Sequence, residues 1–294
     1  MKTTLVAALS AVVLTTVSMN AFASDKVIYG QDNRADLYEV TNPLFKKLAD
    51  STVVLVQRSA IQQSSSGVLE VKASSFAETL GVCSTERFAD QPSGGFCSGS
   101  LIGKNLMLTA GHCITSASSC ASTQFVFNYS VDAKGKYPRL VDESNVVGCK
   151  EIVYRVQDGS GADFAIIKLD RDVTNHAALK LSARKNKIAK ATELVMIGSP
   201  AGLPTKVEDG GSVRSNDPSG FFVANTDSYG GNSGSAVFNR KTGEIEGVLV
   251  RGEQDYVYKN GCYVSNVVGE NEGRGEDVTD ASFVSAKMPS VRKH

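Results

Sequence analysis

The chain has 294 residues, 41% of them hydrophobic, with 31 basic and 31 acidic side chains. Zero net charge removes any general electrostatic case for nucleic acid or an anionic membrane as a partner. The length allows one large or two modest domains with a real core. Frequent glycine, no tryptophan and short apolar runs favour strands and turns over long helices.

The first residues read as an export signal. Lys2 precedes an apolar run over residues 5–17, and Ala21-Phe22-Ala23 offers small residues where a signal peptidase reads them, so removal of residues 1–23 is expected. The run is shorter than the roughly 20 residues of a spanning helix. The mature protein is therefore expected to be soluble, secreted or periplasmic, and free of the membrane. Export changes how the cysteines read: Cys83, Cys97, Cys113, Cys120, Cys149 and Cys262 become candidates for disulfides. No Cys-x-x-Cys pair exists and histidines number three, so no metal site and no cofactor are implied. Composition leaves the pairing open.

Residues 24–50 are polar and irregular, with a short helix expected near residues 44–49. Residues 53–57 read as a strand and residues 58–76 as a Ser-, Gln- and Gly-rich loop. Short apolar runs then alternate with turn residues at 98–102, 106–109, 125–129, 152–156 and 164–169. A second set follows at 194–198, 211–214, 221–224, 235–238, 245–250 and 262–267. Such spacing predicts an all-β sandwich or a pair of barrels. Between the sets, residues 171–190 carry Lys180, Arg184, Lys185, Lys187 and Lys190 without interleaved aromatics, which reads as a solvated linker and not a nucleic-acid surface. Residues 268–280, acidic and rich in glycine, read as a surface loop.

Three local segments carry chemistry: Thr109-Ala110-Gly111-His112-Cys113 after a strand, Asp163-Phe164-Ala165-Ile166-Ile167-Lys168-Leu169 opening one, and Gly230-Gly231-Asn232-Ser233-Gly234-Ser235 before one. A serine hydroxyl needs a base to take its proton during attack. A histidine can accept that proton and later deliver it to a leaving amine. A carboxylate behind the imidazole fixes its tautomer and stabilises the imidazolium. Glycines beside the serine let the N–H groups of Gly231 and Ser233 approach a developing oxyanion. Singly, a Gly-Ser turn, a strand-edge carboxylate and a satisfied histidine are each common. All three in the order His, Asp, Ser are not. His176 and His294 lack comparable surroundings.

From about residue 96 to 267 the chain resembles trypsin- and chymotrypsin-like serine peptidases, in particular the bacterial branch that includes glutamyl endopeptidases. The resemblance rests on these three segments and on Cys97-Ser98-Gly99-Ser100-Leu101-Ile102. It implies two six-stranded antiparallel β-barrels with the active site in the cleft between them. His112 and Asp163 would lie on the first barrel and Ser233 on the second, and a Cys97–Cys113 disulfide would staple the histidine loop. Barrel one would then span residues 77–170, a linker 171–190, and barrel two with its tail 191–294. Residues 24–76 are either a removable propeptide in part or, as we favour, retained to supply the first barrel strand. For the remaining cysteines a Cys120–Cys149 pair is the guess. Two departures stand out. Asn232 replaces the Asp that receives the new ammonium in many trypsin-like zymogens, and Tyr229 stands where many trypsins place a cysteine.

The resemblance also places Asp227, six residues before Ser233, at the floor of the primary specificity pocket, followed by Ser228, with Val250, Arg251 and Gly252 on the pocket wall. A carboxylate there predicts cleavage of protein or peptide substrates after Lys or Arg. The rival is glutamyl specificity, against which Leu249 stands where that branch carries a wall histidine. Arg251 could serve either an acidic substrate or Asp227. A catalytically silent homologue acting as a binding module is the remaining alternative, disfavoured because all three reactive residues are present. The expected form is a monomer.

Overall fold

A computed structural model describes residues 27–288 of the chain. The signal-peptide reading of residues 1–23 and His294 lie outside the described residues. The first six-stranded antiparallel barrel closes in the order Thr123–Phe127, Val146–Gln157, Asp163–Leu169, Leu106–Thr109, Cys97–Gly103, Thr52–Gln57. The Thr52–Gln57 strand is apolar throughout its middle because both its faces are covered. Val53 and Leu55 point into the barrel core. Val54 and Val56 pack outward against Val71, Tyr129 and Val141, beneath a small sheet of Ile61–Ser65, Val68–Val71 and Leu140–Asp142. Each such valine contributes on the order of 1.5–3 kcal/mol by leaving water. The expected loop over 58–76 is therefore partly a hairpin: its residues are polar because they face solvent, yet they alternate in register.

The second barrel runs Glu193–Gly198, Ala236–Asn239, Ile245–Arg251, Glu276–Asp280, Phe221–Ala224, Lys206–Ser215, and closes where the first and last of these pair. Leu194, Met196, Val213, Phe222, Val237, Leu249 and Val278 form one of its buried clusters. The acidic run near the C-terminus corrects our reading: Glu276–Asp280 is a buried strand completing the barrel. Two of its carboxylates tolerate burial because Arg251 and Arg274 hold Asp277 and Arg184 holds Asp280. The basic linker differs from expectation for the same reason. Arg184 is drawn down onto Glu246 and Asp280, while Leu179 and Leu181 pack on the core.

The N-terminal segment lies against the second barrel. Ile28–Tyr29 pairs in parallel with Val267–Val268, and Arg34–Asp36 adds an antiparallel edge to Lys206–Ser215. A helix at Pro43–Ala49 follows, capped by the Asn42 side chain and started by proline at its first position. Cysteines pair as Cys97–Cys113, Cys120–Cys149 and Cys83–Cys262. Among the described residues no helix is long and apolar enough to cross a membrane.

Candidate active site

His112 sits on the turn after the Leu106–Thr109 strand, and Asp163 opens the neighbouring strand of the same barrel. Asp163 Oδ1 accepts the His112 backbone N–H at 3.1 Å, and Oδ2 lies 2.8 Å from His112 Nδ1. A carboxylate only accepts, so the ring proton sits on Nδ1 and Nε2 is left with its lone pair. Gly111 makes the close approach feasible: a Cβ there would meet the Val156 carbonyl at 2.1 Å and Asp163 Oδ1 at 2.9 Å. Asp163 is buried and His112 half-buried, so the imidazole has one protected side and one open side.

Ser233 lies on the turn before the Ala236–Asn239 strand, between Gly231 and Gly234, both at positive φ (93° and 89°). Its carbonyl accepts the Ser98 N–H at 2.8 Å and stands 3.6 Å from Cys113 Sγ. A Cβ on Gly234 would strike the Ser98 carbonyl at 2.1 Å and approach Ala110 N at 3.0 Å. The turn thus beds directly on the strand and loop that carry His112. Ser98 Oγ donates to the Gly231 carbonyl at 2.9 Å, and the Gly230 carbonyl accepts the Ala201 N–H, which turns the Gly231 N–H of the same trans peptide the other way. Among the described residues that N–H has no acceptor. Asn232 binds the turn internally through Ser228 Oγ and Ser235 Oγ. The sulfurs near His112 are joined in the Cys97–Cys113 disulfide, so they offer no thiolate to a metal.

The profile of the trypsin-like peptidase domain matches residues 97–248. The chain belongs to that family. The structure of a Glu endopeptidase in complex with MPD superposes with a TM-score of 0.52 at 20% identity, over 90% of this chain and 100% of that one. Vibrio cholerae VesB protease superposes at 0.51 and 18% identity, over 87% of this chain and 66% of that one. Identities this low establish the fold and nothing finer. No curated protein matches the chain. The two-barrel fold and the His112–Asp163 pair make this trypsin-like peptidase a serine hydrolase.

The specificity residues of this peptidase are not arranged as the sequence led us to expect. Asp227 is only 1% exposed. Its two oxygens accept the Tyr29 and Asn33 backbone N–H groups, each at 2.7 Å. Burial pushes its carboxyl up to about 7, against those two bonds and Arg34, which lower it. The expected free carboxylate on a pocket floor is therefore a buried tether for the N-terminal segment. The Ser228 N–H is likewise taken, by the Val27 carbonyl at 3.2 Å. Arg251 is not bonded to Asp227. Its Nε pairs with Asp277 at 3.0 Å, and its other nitrogens reach the carbonyls of Asp158 and Gly161. Val250 is buried in the core.

A different carboxylate stands beside Gly252. A Cβ on that glycine would lie 2.1 Å from Glu276 Oε2, and Tyr29 Oη is 3.4 Å from Glu276 Oε1. Sequence reading missed Glu276 because it lies in a run that looks like a solvent loop. It also missed Arg34, fully buried, which stacks over the Tyr229 ring at 3.8 Å and grips Asp32 with two bonds of 2.8 and 2.7 Å. Nothing local in Asn33-Arg34-Ala35 signals burial. On the other side of Gly230 and Gly231 an open cleft of about 560 Å³ is lined by Leu80, Phe96, Ala201, Tyr256 and Tyr263.

Proposed function

We propose that this peptidase is an exported, monomeric serine endopeptidase whose catalytic triad is His112, Asp163 and Ser233. The observation that carries the reading is the shared footing of the two halves of the site: the Ser233 carbonyl is bonded to Ser98 N and abuts Cys113, one residue from a histidine already oriented by Asp163. In this mechanism Ser233 Oγ attacks the carbonyl carbon of the scissile bond while Nε2 takes the hydroxyl proton. The Gly231 and Ser233 N–H groups receive the oxyanion. The imidazolium then protonates the departing amine, an acyl-enzyme remains on Ser233, and a water activated by the same nitrogen releases it. No cofactor enters this scheme.

Specificity at the residue before the scissile bond has two readings. With Asp227 enclosed, cleavage after Lys or Arg loses the residue that first motivated it. Glutamyl-type cleavage is the activity named for the endopeptidase whose fold this chain shares over 90% of its length, and it moves ahead on that likeness. The observation favouring basic residues is Glu276 beside Gly252. A fluorogenic peptide panel varying only that residue, run on mature protein beside Ser233→Ala, tests both levels. Cleavage lost by at least about 10⁴-fold in the variant is the expected result for the triad. Activity retained in Ser233→Ala would overturn the mechanism, and the panel ranks Glu against Arg and Lys independently.

A further inference from the structure

Asp163 is held from two directions, and only one of them is its own barrel. Thr279, on the Glu276–Asp280 strand of the second barrel, is fully buried. Its Oγ1 accepts the Asp163 backbone N–H at 3.0 Å and donates to the Asp163 carbonyl at 3.0 Å. A single hydroxyl therefore satisfies both main-chain polar groups of Asp163, as a paired strand would. Two such bonds fix where the Asp163 Cα–Cβ vector points, and with it the carboxylate that orients His112.

The same strand grips the approach to Asp163. Asp277, two residues before Thr279, holds Arg251 at 3.0 Å, and Arg251 binds the carbonyls of Asp158 and Gly161 at 3.2 and 2.9 Å. These carbonyls belong to the loop that delivers Asp163 to its strand. Gly220, also from the second barrel, packs so tightly on this loop that a Cβ would lie 2.8 Å from Ala162 N. The contacts from Thr279 and Arg251 reach main-chain atoms, so they set position whatever the side chains of the loop.

We infer that Thr279 is a positioning residue for the reaction, through which the second barrel sets the orientation of Asp163 and hence of His112. The inference rests on the triad reading above and adds to it a dependence on barrel docking. Asp163 is aligned only when the barrel that carries Ser233 is seated. The two halves of the catalytic apparatus are thereby completed together.

The test compares Thr279→Val, which keeps shape and removes the hydroxyl, with Thr279→Ser, which keeps the hydroxyl and removes a methyl. Misplacement of a catalytic group by an ångström costs up to about 100-fold in rate. The expected result for Thr279→Val is a fall in kcat of about 10- to 100-fold per folded active site with KM little changed. Thr279→Ser should restore kcat. Independently of turnover, the low-field proton NMR resonance of His112 Nδ1–H, held 2.8 Å from Asp163 Oδ2 in the parent, should shift or broaden in Thr279→Val and return in Thr279→Ser. An unchanged resonance and unchanged kcat in Thr279→Val would overturn the inference. Should that variant not fold, Thr279→Ser decides alone, since a loss of kcat and resonance there would show that the methyl, not the hydroxyl, matters. Activity in Ser233→Ala would sink the triad reading, while the NMR signal would still report whether Thr279 positions Asp163.

Discussion

Tyr29 donates its backbone N–H to Asp227 across 198 residues of chain, at 2.7 Å, and Asn33 donates to the other oxygen of the same carboxylate. The bond ties the N-terminal segment to the turn leading into Ser233. Burial raises the Asp227 carboxyl to about 7, and Glu208, buried beside it, is raised as well by burial and then by the Asp227 charge. The folded protein therefore binds more protons than the unfolded chain between the ordinary carboxylate value near 4 and about 7. Stability contributed by this site is present below pH 4 and is lost as pH rises through 7. Urea titrations at pH 5 and pH 8 should show a larger loss of stability in the parent than in Asp227→Asn, which is weakened at both pH values by the lost acceptor but has a flatter profile. Equal pH slopes in the two proteins would contradict this assignment.

Arg34 anchors the same segment from the other side. It is buried, paired with Asp32, and stacked on Tyr229, to whose hydroxyl it also donates at 2.9 Å. Truncation removes a fully buried cation and its stacking face, which costs up to about 3–5 kcal/mol, while Asp32 keeps Arg87 as its ion-pair partner at 3.1 Å. Arg34→Ala should lose about that much in urea unfolding. Arg34→Lys should recover little of it, because an ammonium supplies neither the two-pronged grip nor the flat stacking face.

The Cys83–Cys262 disulfide closes a loop of 179 residues in sequence and joins the segments that carry Leu80 and Tyr263 along the cleft beside Gly230. Removing it as Cys83→Ser with Cys262→Ser should cost about 2–4 kcal/mol and lower Tm. Because the cleft walls lose their staple, discrimination at whichever substrate positions contact the cleft should weaken, while discrimination at positions away from it should not change. A peptide panel varied on both sides of the bond separates the two effects.

Glu276 places a buried carboxyl beside Gly252, where a Cβ would meet its oxygens at 2.1 and 2.3 Å. Glu276→Gln removes the carboxyl with little change of shape. The ratio of kcat/KM for Glu over Arg before the scissile bond should rise by about tenfold, equivalent to about 1.4 kcal/mol, whichever of the two the parent prefers. An unchanged ratio would place Glu276 outside the field felt by the substrate side chain.

Much of the candidate site could be read locally. His112, Asp163 and Ser233 each lie in a short segment whose neighbours are dictated by the same chemistry: Gly111 must admit the carboxylate, and Gly231 and Gly234 must take positive φ. The barrel strands were readable wherever one or both faces are apolar, as in Thr52–Gln57. Glu276–Asp280 was not, because Asp280 is held by Arg184 from far along the chain and Asp277 by Arg251 as well as by the nearby Arg274. Asp227 was misjudged for a related reason. Its place six residues before Ser233 is a fact of sequence, but whether its oxygens face a pocket depends on where residues 29 and 33 lie.

The amino-acid order alone thus determined the all-β class and pointed to the three residues proposed as reactive, because strand periodicity and glycine requirements act over a few neighbouring positions. Only the tertiary structure decided which carboxylates are open and which are bound. Asp227 is capped by Tyr29 and Asn33, Arg251 is spent on Asp277 and the Asp163 loop, and Thr279 holds Asp163. A buried charge takes its character from partners that folding brings to within about 3 Å, and those partners lie anywhere along the chain.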